Sequence, residues 1–222
     1  FFYSKKKYSL IKLSLRFPFM KRSLLVKIIK SLKDYILHYN RFRSPRLWSN
    51  KELRKYAYLF KGNVVNVSAW DDRDKEGGTY FKYFKNANSY TLTNYETEMR
   101  GMIGAEGEIY LDLESELDKD LINKFDVVFN HTTLEHIYEV KKAMQNLALL
   151  TNDILITVVP YKQIEHTTYG DYWRFTPSGI SKLYKENNID VIYQKFNRSI
   201  FSSIYLFTIG SKNKKKWGKF FL

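Results

Sequence analysis

The chain has 222 residues, of which 44% are hydrophobic and 27% charged, proportions typical of a globular protein rather than a disordered one. It contains no cysteine, which excludes disulfide bonds, thiolate metal ligands and cysteine nucleophiles. The net charge of +14 is concentrated at the two ends, because residues 1–62 carry 17 Lys and Arg against two acids, residues 212–222 carry five Lys and no acid, and the rest has a net charge of −6.

The basic N-terminal segment, residues 1–48, is predicted to be a helical extension. Between residues 23 and 37, lysines interrupt the apolar residues every third or fourth position, and the apolar residues fall on one helical stripe. No apolar run reaches the ~18–20 residues that a membrane-spanning helix needs, and no small-residue cleavage site indicates a signal peptide. Three interpretations stay open: the stripe packs on the rest of the protein, lies on an anionic membrane surface, or contacts RNA or DNA.

The C-terminal tail, residues 212–222, combines lysines with Trp217, Phe220 and Phe221. Lysines beside large aromatic side chains suit a membrane interface better than a nucleic-acid groove. Residues 1–48 and 212–222 therefore predict contact with an anionic membrane surface, and nucleic acid is the less favoured partner. The absence of cysteine fits a reducing compartment, so we expect a cytoplasmic protein that contacts the inner face of the membrane.

A second helix is predicted to begin at Ser49, since Ser49 and Glu52 have the spacing of a capping box and apolar residues follow at helical intervals. Gly62 is predicted to end it. This helix opens the predicted main domain, residues 49–211.

Strands and helices alternate from Gly62 onward. Helices are predicted near residues 80–84, 115–123, 134–150 and 176–187, and Pro160 is predicted to end the fifth strand. The alternation, which ends in two strands joined by a short turn, predicts an α/β fold with a mainly parallel sheet and one antiparallel strand. The predicted strands are residues 64–67, 90–93, 108–113, 126–130, 153–159, 190–196 and 202–209.

The most informative segment is residues 125–136, FDVVFNHTTLEH. An apolar run ends abruptly in the polar residues Asn130, His131, Thr132 and Thr133. A buried parallel strand delivers polar groups in this way to the carboxyl edge of an open α/β sheet, which is where such sheets bind ligands.

Two segments carry a resemblance to a known family. Residues 125–136 and residues 170–177, GDYWRFTP, resemble segments of class I S-adenosylmethionine-dependent methyltransferases of the type 11-like branch, whose members are often linked to surface-polysaccharide pathways. The resemblance covers about residues 50–210. It implies a Rossmann-like, seven-stranded sheet with helices on both faces and an antiparallel last strand. It also implies S-adenosylmethionine as cofactor, bound across the carboxyl ends of the first four strands.

The resemblance also implies which residues contact the cofactor. The first loop departs from the family pattern, because Ser68 and Trp70 stand where glycines are expected. Asn94 stands at the end of the second strand, where an acid normally accepts hydrogen bonds from the ribose hydroxyls. The implied cofactor-binding residues are Asn66, Ser68, Ala69, Trp70, Asn94, Asp112, Leu113, Asn130 and His131.

Methyl transfer to a hydroxyl requires an acceptor held in line with the methyl group and a base that removes its proton. His131 is the first candidate base, because a histidine pKa lies near neutrality. His166 and Asp171, in a long loop, could reach the same cleft. We predict no metal site, since the spacing of Glu135 and the nearby histidines is not that of a His-Glu-x-x-His helix.

An aromatic and cationic cluster in the same loop region is a candidate substrate site. Such a cluster suits stacking on a sugar or clamping a phosphate, although packing of the loop on the body is an equal alternative. The candidate substrate-binding residues are Tyr169, Tyr172, Trp173 and Arg174.

Three functions follow as hypotheses. The first is an S-adenosylmethionine-dependent methyltransferase that acts on a hydroxyl of a sugar or of a polysaccharide or glycolipid precursor. The second is a non-catalytic binding or scaffold protein of the same fold at the membrane surface, which Ser68, Trp70 and Asn94 motivate. The third is an RNA methyltransferase that uses the basic N-terminal segment as its substrate arm.

Overall fold

The computed structural model describes residues 22–95, 100–166, 170–198 and 202–221. The chain divides into two compact units, residues 1–39 and 40–222. In the first unit, the predicted amphipathic helix is present as α1 (Arg22–His38). Within the described ranges, no helix has the length and apolar character needed to cross a membrane.

The second unit begins before the predicted domain boundary. Helix α2 (Ser44–Tyr56) starts ahead of Ser49, with Pro45 in its first turn. The predicted capping box is therefore wrong, because Ser49 lies inside the helix and its hydroxyl donates to the main-chain oxygen of Arg46 at 2.9 Å. Residues 40–48, placed by the sequence in the N-terminal extension, belong to the second unit.

A seven-stranded sheet forms the centre of the second unit. The strand order is β3-β2-β1-β4-β5-β7-β6, and β7 runs antiparallel to both of its neighbours. The predicted Rossmann-like fold with an antiparallel last strand is confirmed. The strands are β1 (Gly62–Val67), β2 (Ala87–Asn94), β3 (Ile109–Tyr110), β4 (Phe125–His131), β5 (Thr151–Lys162), β6 (Asp190–Phe196) and β7 (Ile204–Ser211).

Apolar cores cover both faces of the sheet. Successive strand residues point to opposite faces, so Val65 and Val64 belong to different cores. Helices α3 (Val140–Leu150) and α4 (Pro177–Glu186) contribute to the core that contains Val65. Helix α2 packs in the core that contains Val64.

Several predicted elements differ in extent. The helices predicted near 80–84 and 115–123 are the 3-10 turns Tyr80–Tyr83 and Lys119–Leu121. Strand β3 has two residues instead of six, and the helix predicted at 134–150 is a 3-10 turn (Leu134–His136) followed by α3. Strand β5 continues through Pro160 to Lys162. The proline is accommodated because the register with β7 shifts between Pro160 and Lys162, while the carbonyl of Pro160 accepts from the amide of Phe175 at 2.9 Å.

The C-terminal tail packs its aromatic residues on the body. It forms a short helix, α5 (Lys214–Trp217), and the indole N–H of Trp217 donates to the carboxylate of Asp153 at 3.1–3.2 Å. The Trp217 ring is buried against Phe60, and the Phe221 ring contacts Tyr56. Two of the three aromatic residues predicted to suit a membrane interface therefore face the protein.

Candidate functional site

A cleft of about 430 Å³ lies at the carboxyl ends of β1 to β4. All of the predicted cofactor residues except Asn130 line it. Among the described residues, the cleft is lined by Arg46, Asn66, Ser68, Ala69, Trp70, Asp71, Arg73, Lys75, Tyr80, Asn94, Tyr95, Arg100, Leu111, Asp112, Leu113, Glu114, His131, Thr132, Thr133, His136 and Ile137.

The loop after β1 keeps a glycine-type backbone without glycine. Ser68 has φ 57° and Trp70 has φ 50°, in the left-handed region that side chains other than glycine disfavour. The loop is held to β2 by two hydrogen bonds, from the Ala69 amide to the Thr93 carbonyl at 3.1 Å and from the Trp70 amide to Oδ1 of Asn94 at 2.6 Å. Ser68 and Trp70, where the sequence resemblance led us to expect glycines, thus adopt the conformation that favours glycine.

The side-chain amide of Asn94 hydrogen-bonds to this loop through both its oxygen and its nitrogen. Its Nδ2 donates to the Trp70 carbonyl at 3.2 Å and to Oε1 of Glu108 at 2.6 Å. The Glu108 carboxylate also accepts from the amides of Ile103 and Ala105. An aspartate at position 94 could not donate these bonds, so the amide serves to organise the wall of the cleft.

Asn66 and Asn130 are held by protein partners. Nδ2 of Asn66 donates to Oδ1 of Asp72 at 2.8 Å. Asn130 is fully buried, does not line the cleft, and donates from Nδ2 to the Val67 carbonyl at 3.0 Å, which joins the ends of β4 and β1.

Arg46 and His131 form the polar floor of the cleft. Nη1 of Arg46 donates to Nδ1 of His131 at 2.9 Å and to the Tyr80 hydroxyl at 3.2 Å, and Nη2 donates to the Thr132 hydroxyl at 3.0 Å. Since a guanidinium only donates, Nδ1 accepts and the imidazole proton lies on Nε2. Nε2 lies 2.9 Å from the hydroxyl of Ser49.

This environment does not favour His131 as a general base. Burial and the charge of Arg46 hold the pKa of His131 well below its usual range. Both ring nitrogens already have partners. The predicted role of His131 as a base stays a prediction, and the contacts favour a positioning role between β4 and α2.

His166 and Asp171, the other predicted catalytic residues, form a pair outside the described lining of the cleft. Nδ1 of His166 lies 2.8 Å from Oδ2 of Asp171, which Arg174 contacts with both of its terminal nitrogens. Although burial alone would raise it, hydrogen bonds from Arg174 lower the pKa of Asp171 to about 2. The pair lies near the cleft, because the His166 ring is 5.3 Å from the ring of His136, which lines it.

The predicted substrate cluster is dispersed. Tyr169 lies outside the described residues. The ring of Tyr172 packs on Tyr138, and the indole N–H of Trp173 donates to the Ile137 carbonyl at 2.9 Å. The guanidinium of Arg174 bonds to Asp171, to the Gln163 carbonyl and to the Trp173 carbonyl. These contacts favour packing of the loop on the body, and the substrate role of the four residues stays a prediction.

Sequence reasoning missed Arg46. It lies in a segment with no strand or helix periodicity of its own, and it contacts residues more than thirty positions away. The only signal was an arginine beside Pro45 in a segment without acids.

Comparison with known proteins identifies the fold. No protein-family model matches the sequence, and neither does any curated protein. Three solved structures are similar: 1,6-didemethyltoxoflavin-N1-methyltransferase of Burkholderia thailandensis, with its substrate and S-adenosylhomocysteine bound; magnesium protoporphyrin IX methyltransferase of Synechocystis PCC 6803, with S-adenosylhomocysteine bound; and a chain of the complex that contains the Haloferax volcanii Trm112 methyltransferase activator. The chain has the fold of these methyltransferases.

The likeness extends over most of each chain. The Burkholderia enzyme is 14% identical, with 88% of this chain and 92% of that chain covered and a TM-score of 0.51. The Synechocystis enzyme is 11% identical, with 75% and 83% covered and a TM-score of 0.51. The Haloferax chain is 10% identical, with 81% and 95% covered and a TM-score of 0.56. At such low identities the likeness establishes the fold alone.

Proposed function

We propose that the second unit is an S-adenosylmethionine-dependent methyltransferase whose cofactor lies in the cleft at the carboxyl ends of β1 to β4. The observation that carries the proposal is the position of Arg46, a cation that lines this cleft beside a loop of glycine-type backbone. The fold is that of solved methyltransferases, two of which hold S-adenosylhomocysteine.

Arg46 fits the carboxylate of the cofactor's methionine part. Its hydrogen-bond partners are the neutral groups of Tyr80, His131 and Thr132, and within the described residues no acidic side chain lies at ion-pair distance from it. By contrast Arg54, on the same helix, pairs with Glu76 at 2.7 Å. A partly buried guanidinium without a carboxylate partner favours an anionic ligand, and its planar fork suits a carboxylate.

The other side of the cleft fits the adenosine part. Leu111, Leu113 and Ile137 offer an apolar surface for a planar base, and Asp112 offers a carboxylate that can accept hydrogen bonds from hydroxyl or amino groups. The cleft volume of about 430 Å³ lies within the range typical of small-molecule sites. Volume, charge and apolar surface together fit the cofactor.

The chemistry divides between cofactor and protein. S-adenosylmethionine, when bound, supplies a methyl group on an electrophilic sulfonium. The chain has to hold the acceptor in line and accept its proton. Because His131 is engaged by Arg46 and Ser49, the predicted pair of His166 and Asp171 is the better-placed group to act on an acceptor hydroxyl. We propose a hydroxyl of a sugar, or of a polysaccharide or glycolipid precursor, as that acceptor.

Methyl transfer from labelled S-adenosylmethionine tests this function. Incubation with a panel of hydroxylated sugar nucleotides and glycolipid precursors should label at least one acceptor. If none of them is labelled but RNA is, the protein is an RNA methyltransferase instead. The scaffold alternative predicts no label on any acceptor. Its basis, the substitution of glycines by Ser68 and Trp70, is weakened by the glycine-type backbone of both residues.

Contact with an anionic membrane through residues 1–48 and 212–222 stays a prediction. Sedimentation with anionic vesicles tests it, and the binding should fall with rising salt concentration.

A further inference from the structure

Three residues with metal-ligating side chains meet beside the cleft. One ligand-type atom from each of Glu135, His136 and His166 lies within 4.8 Å of the other two. Glu135 and His136 come from the turn after β4, and His166 comes from the loop that follows β5. His136 also lines the cleft, so the group borders the space proposed for the cofactor.

The carboxylate of Glu135 is buried without a hydrogen-bond partner from any other residue that the structure describes. The residue is 0% exposed, and neither carboxylate oxygen accepts a hydrogen bond from another described residue. Nε2 of His136 lies 3.8 Å from Oε1 of Glu135. A buried carboxylate without partners is costly, because it has lost its hydration without replacement. A bound cation would give the Glu135 carboxylate the partner that the described residues do not provide.

The two histidines are oriented as metal ligands commonly are. Nδ1 of His136 lies 2.6 Å from the carbonyl oxygen of Gly170, and Nδ1 of His166 lies 2.8 Å from Oδ2 of Asp171. In metal sites a ligating histidine usually donates its other ring N–H to a carbonyl or a carboxylate. Binding of a metal at Nε2 would leave both of these Nδ1 contacts in place.

The charges around the group are compatible with a cation. Arg174 is the nearest cation of the loop, and Asp171 contacts it with both carboxylate oxygens. Arg46 lines the cleft, where the proposed cofactor carboxylate would pair with it. Asp171 contacts His166 as well as Arg174, so one carboxylate beyond that of Glu135 borders the group.

We infer that Glu135, His136 and His166 bind one divalent transition-metal ion beside the proposed cofactor cleft. Two imidazoles and one carboxylate suit Zn²⁺, Fe²⁺, Co²⁺ or Mn²⁺ better than Mg²⁺ or Ca²⁺, which prefer oxygen ligands. Metal–ligand bonds of about 2.1 Å require ligand atoms roughly 3.4 Å apart, so the side chains must close by about 1 Å on binding.

Such an ion would keep coordination positions open toward the cleft. An acceptor hydroxyl bound there would be oriented, and the metal would lower its pKa, so that water in the cleft could take its proton. This use of the metal rests on the proposed function, but the metal site does not. His166 would then act as a ligand oriented by Asp171, instead of taking the proton itself.

Titration of chelator-treated full-length protein with Co²⁺ tests the site, because Co²⁺ bound by nitrogen and oxygen ligands gives visible absorption bands. We expect one equivalent to bind per chain, and Zn²⁺ to displace it. Glu135→Gln, which conserves shape, and His166→Gln should each weaken Co²⁺ binding at least about 10-fold, and so should Asp171→Asn through the ligand that it orients. His38→Gln, in the first unit, is the matched control and should bind like the native chain.

Native protein that takes up no stoichiometric Co²⁺ at millimolar concentration would overturn the inference. So would tight binding by both Glu135→Gln and His166→Gln. S-adenosylhomocysteine binding, measured on the same samples, separates this result from the proposed function. Variants that lose metal binding but still bind S-adenosylhomocysteine would support the metal site. Native protein that binds S-adenosylhomocysteine but no Co²⁺ would remove the metal site alone.

Discussion

Nη1 of Arg46 donates a hydrogen bond to Nδ1 of His131 across 2.9 Å, and this contact joins helix α2 to the end of strand β4. It fixes the imidazole as a neutral Nε2–H tautomer whose pKa burial and the guanidinium lower. It also holds the guanidinium at the cleft with no acidic partner among the described residues. One contact therefore disfavours His131 as a base and favours Arg46 as the anchor of an anionic ligand.

Replacement of Arg46 should lower the affinity for S-adenosylhomocysteine without unfolding the protein. Arg46→Gln is expected to weaken S-adenosylhomocysteine binding by about 10- to 100-fold, since a hydrogen bond to a charged group contributes about 1.5–3 kcal/mol. Calorimetric titration measures the change. Arg54→Gln on the same helix, whose guanidinium pairs with Glu76, is the control and should leave the affinity unchanged. Equal losses in both variants would show that Arg46 acts through the stability of α2.

Trp70→Gly should stabilise the loop after β1 relative to Trp70→Ala. Both variants remove the indole, which lies near Lys75 and Arg100, but only glycine adopts φ 50° without steric cost. We expect the glycine variant to have the larger free energy of unfolding by about 1 kcal/mol. Denaturant titration of the pair checks this, and equal stabilities would contradict a strained backbone at this position.

An acid at position 94, at the end of β2, should destabilise the protein. Asn94→Asp removes the donor to Glu108 and to the Trp70 carbonyl and brings two carboxylates together. We expect a loss of about 1–3 kcal/mol in the free energy of unfolding. The double variant with Glu108→Gln should recover part of it, because an amide can donate to the new carboxylate. Absence of recovery would show that Asn94 and Glu108 are not coupled.

Glu108 gives this coupling a pH dependence. Although burial opposes it, hydrogen bonds from Asn94 and from the amides of Ile103 and Ala105 lower the pKa of Glu108 in the folded protein. Stability from this carboxylate is then complete above its unfolded pKa of about 4.3 and is lost as the pH falls through the lowered value. The stability difference between native protein and Glu108→Gln should be constant near neutrality and should narrow below about pH 4. A constant difference down to pH 3 would contradict this.

Gly210→Ala should destabilise the sheet. A Cβ at Gly210 in β7 would lie 2.4 Å from Cδ1 of Tyr184 and 2.6 Å from Cγ2 of Ile189. Tyr184 is fully buried and its hydroxyl is bonded to Thr157, so the ring cannot move without loss. We expect a loss of about 1–3 kcal/mol, seen as a lower melting temperature. Gly218→Ala, where the nearest atoms lie 4.0 Å away, is the control and should melt like the native chain.

The fold was predictable because apolar strand segments and helical segments alternate along the body. The strand that ends at His131 is apolar and buried, as a central parallel strand must be. The predicted end of β5 at Pro160 was wrong, because the bulge that accommodates this proline depends on pairing with β7, which lies far along the chain. The predicted start of α2 at Ser49 was wrong. The local capping pattern does not show the contacts that α2 makes to the body, such as that of the Ser49 hydroxyl with His131.

The cleft was predictable from the strand ends, but its chemistry was not. Periodicity reports which face is buried, and it carries no information on the conformation of Ser68 and Trp70, which is rare for these residue types. Nor does it show that Arg46 reaches His131, a contact between residues 85 positions apart. Residue type alone therefore made His131 a candidate base, whereas burial and a cationic neighbour disfavour that role.

Calorimetric titration of the native full-length chain with S-adenosylhomocysteine tests the central claim most directly. We expect one molecule to bind per chain with micromolar affinity, and Arg46→Gln to bind at least about 10-fold more weakly. Native protein that releases or absorbs no heat with millimolar ligand at two temperatures, and whose melting temperature the ligand does not raise, would contradict the claim that this cleft holds the cofactor.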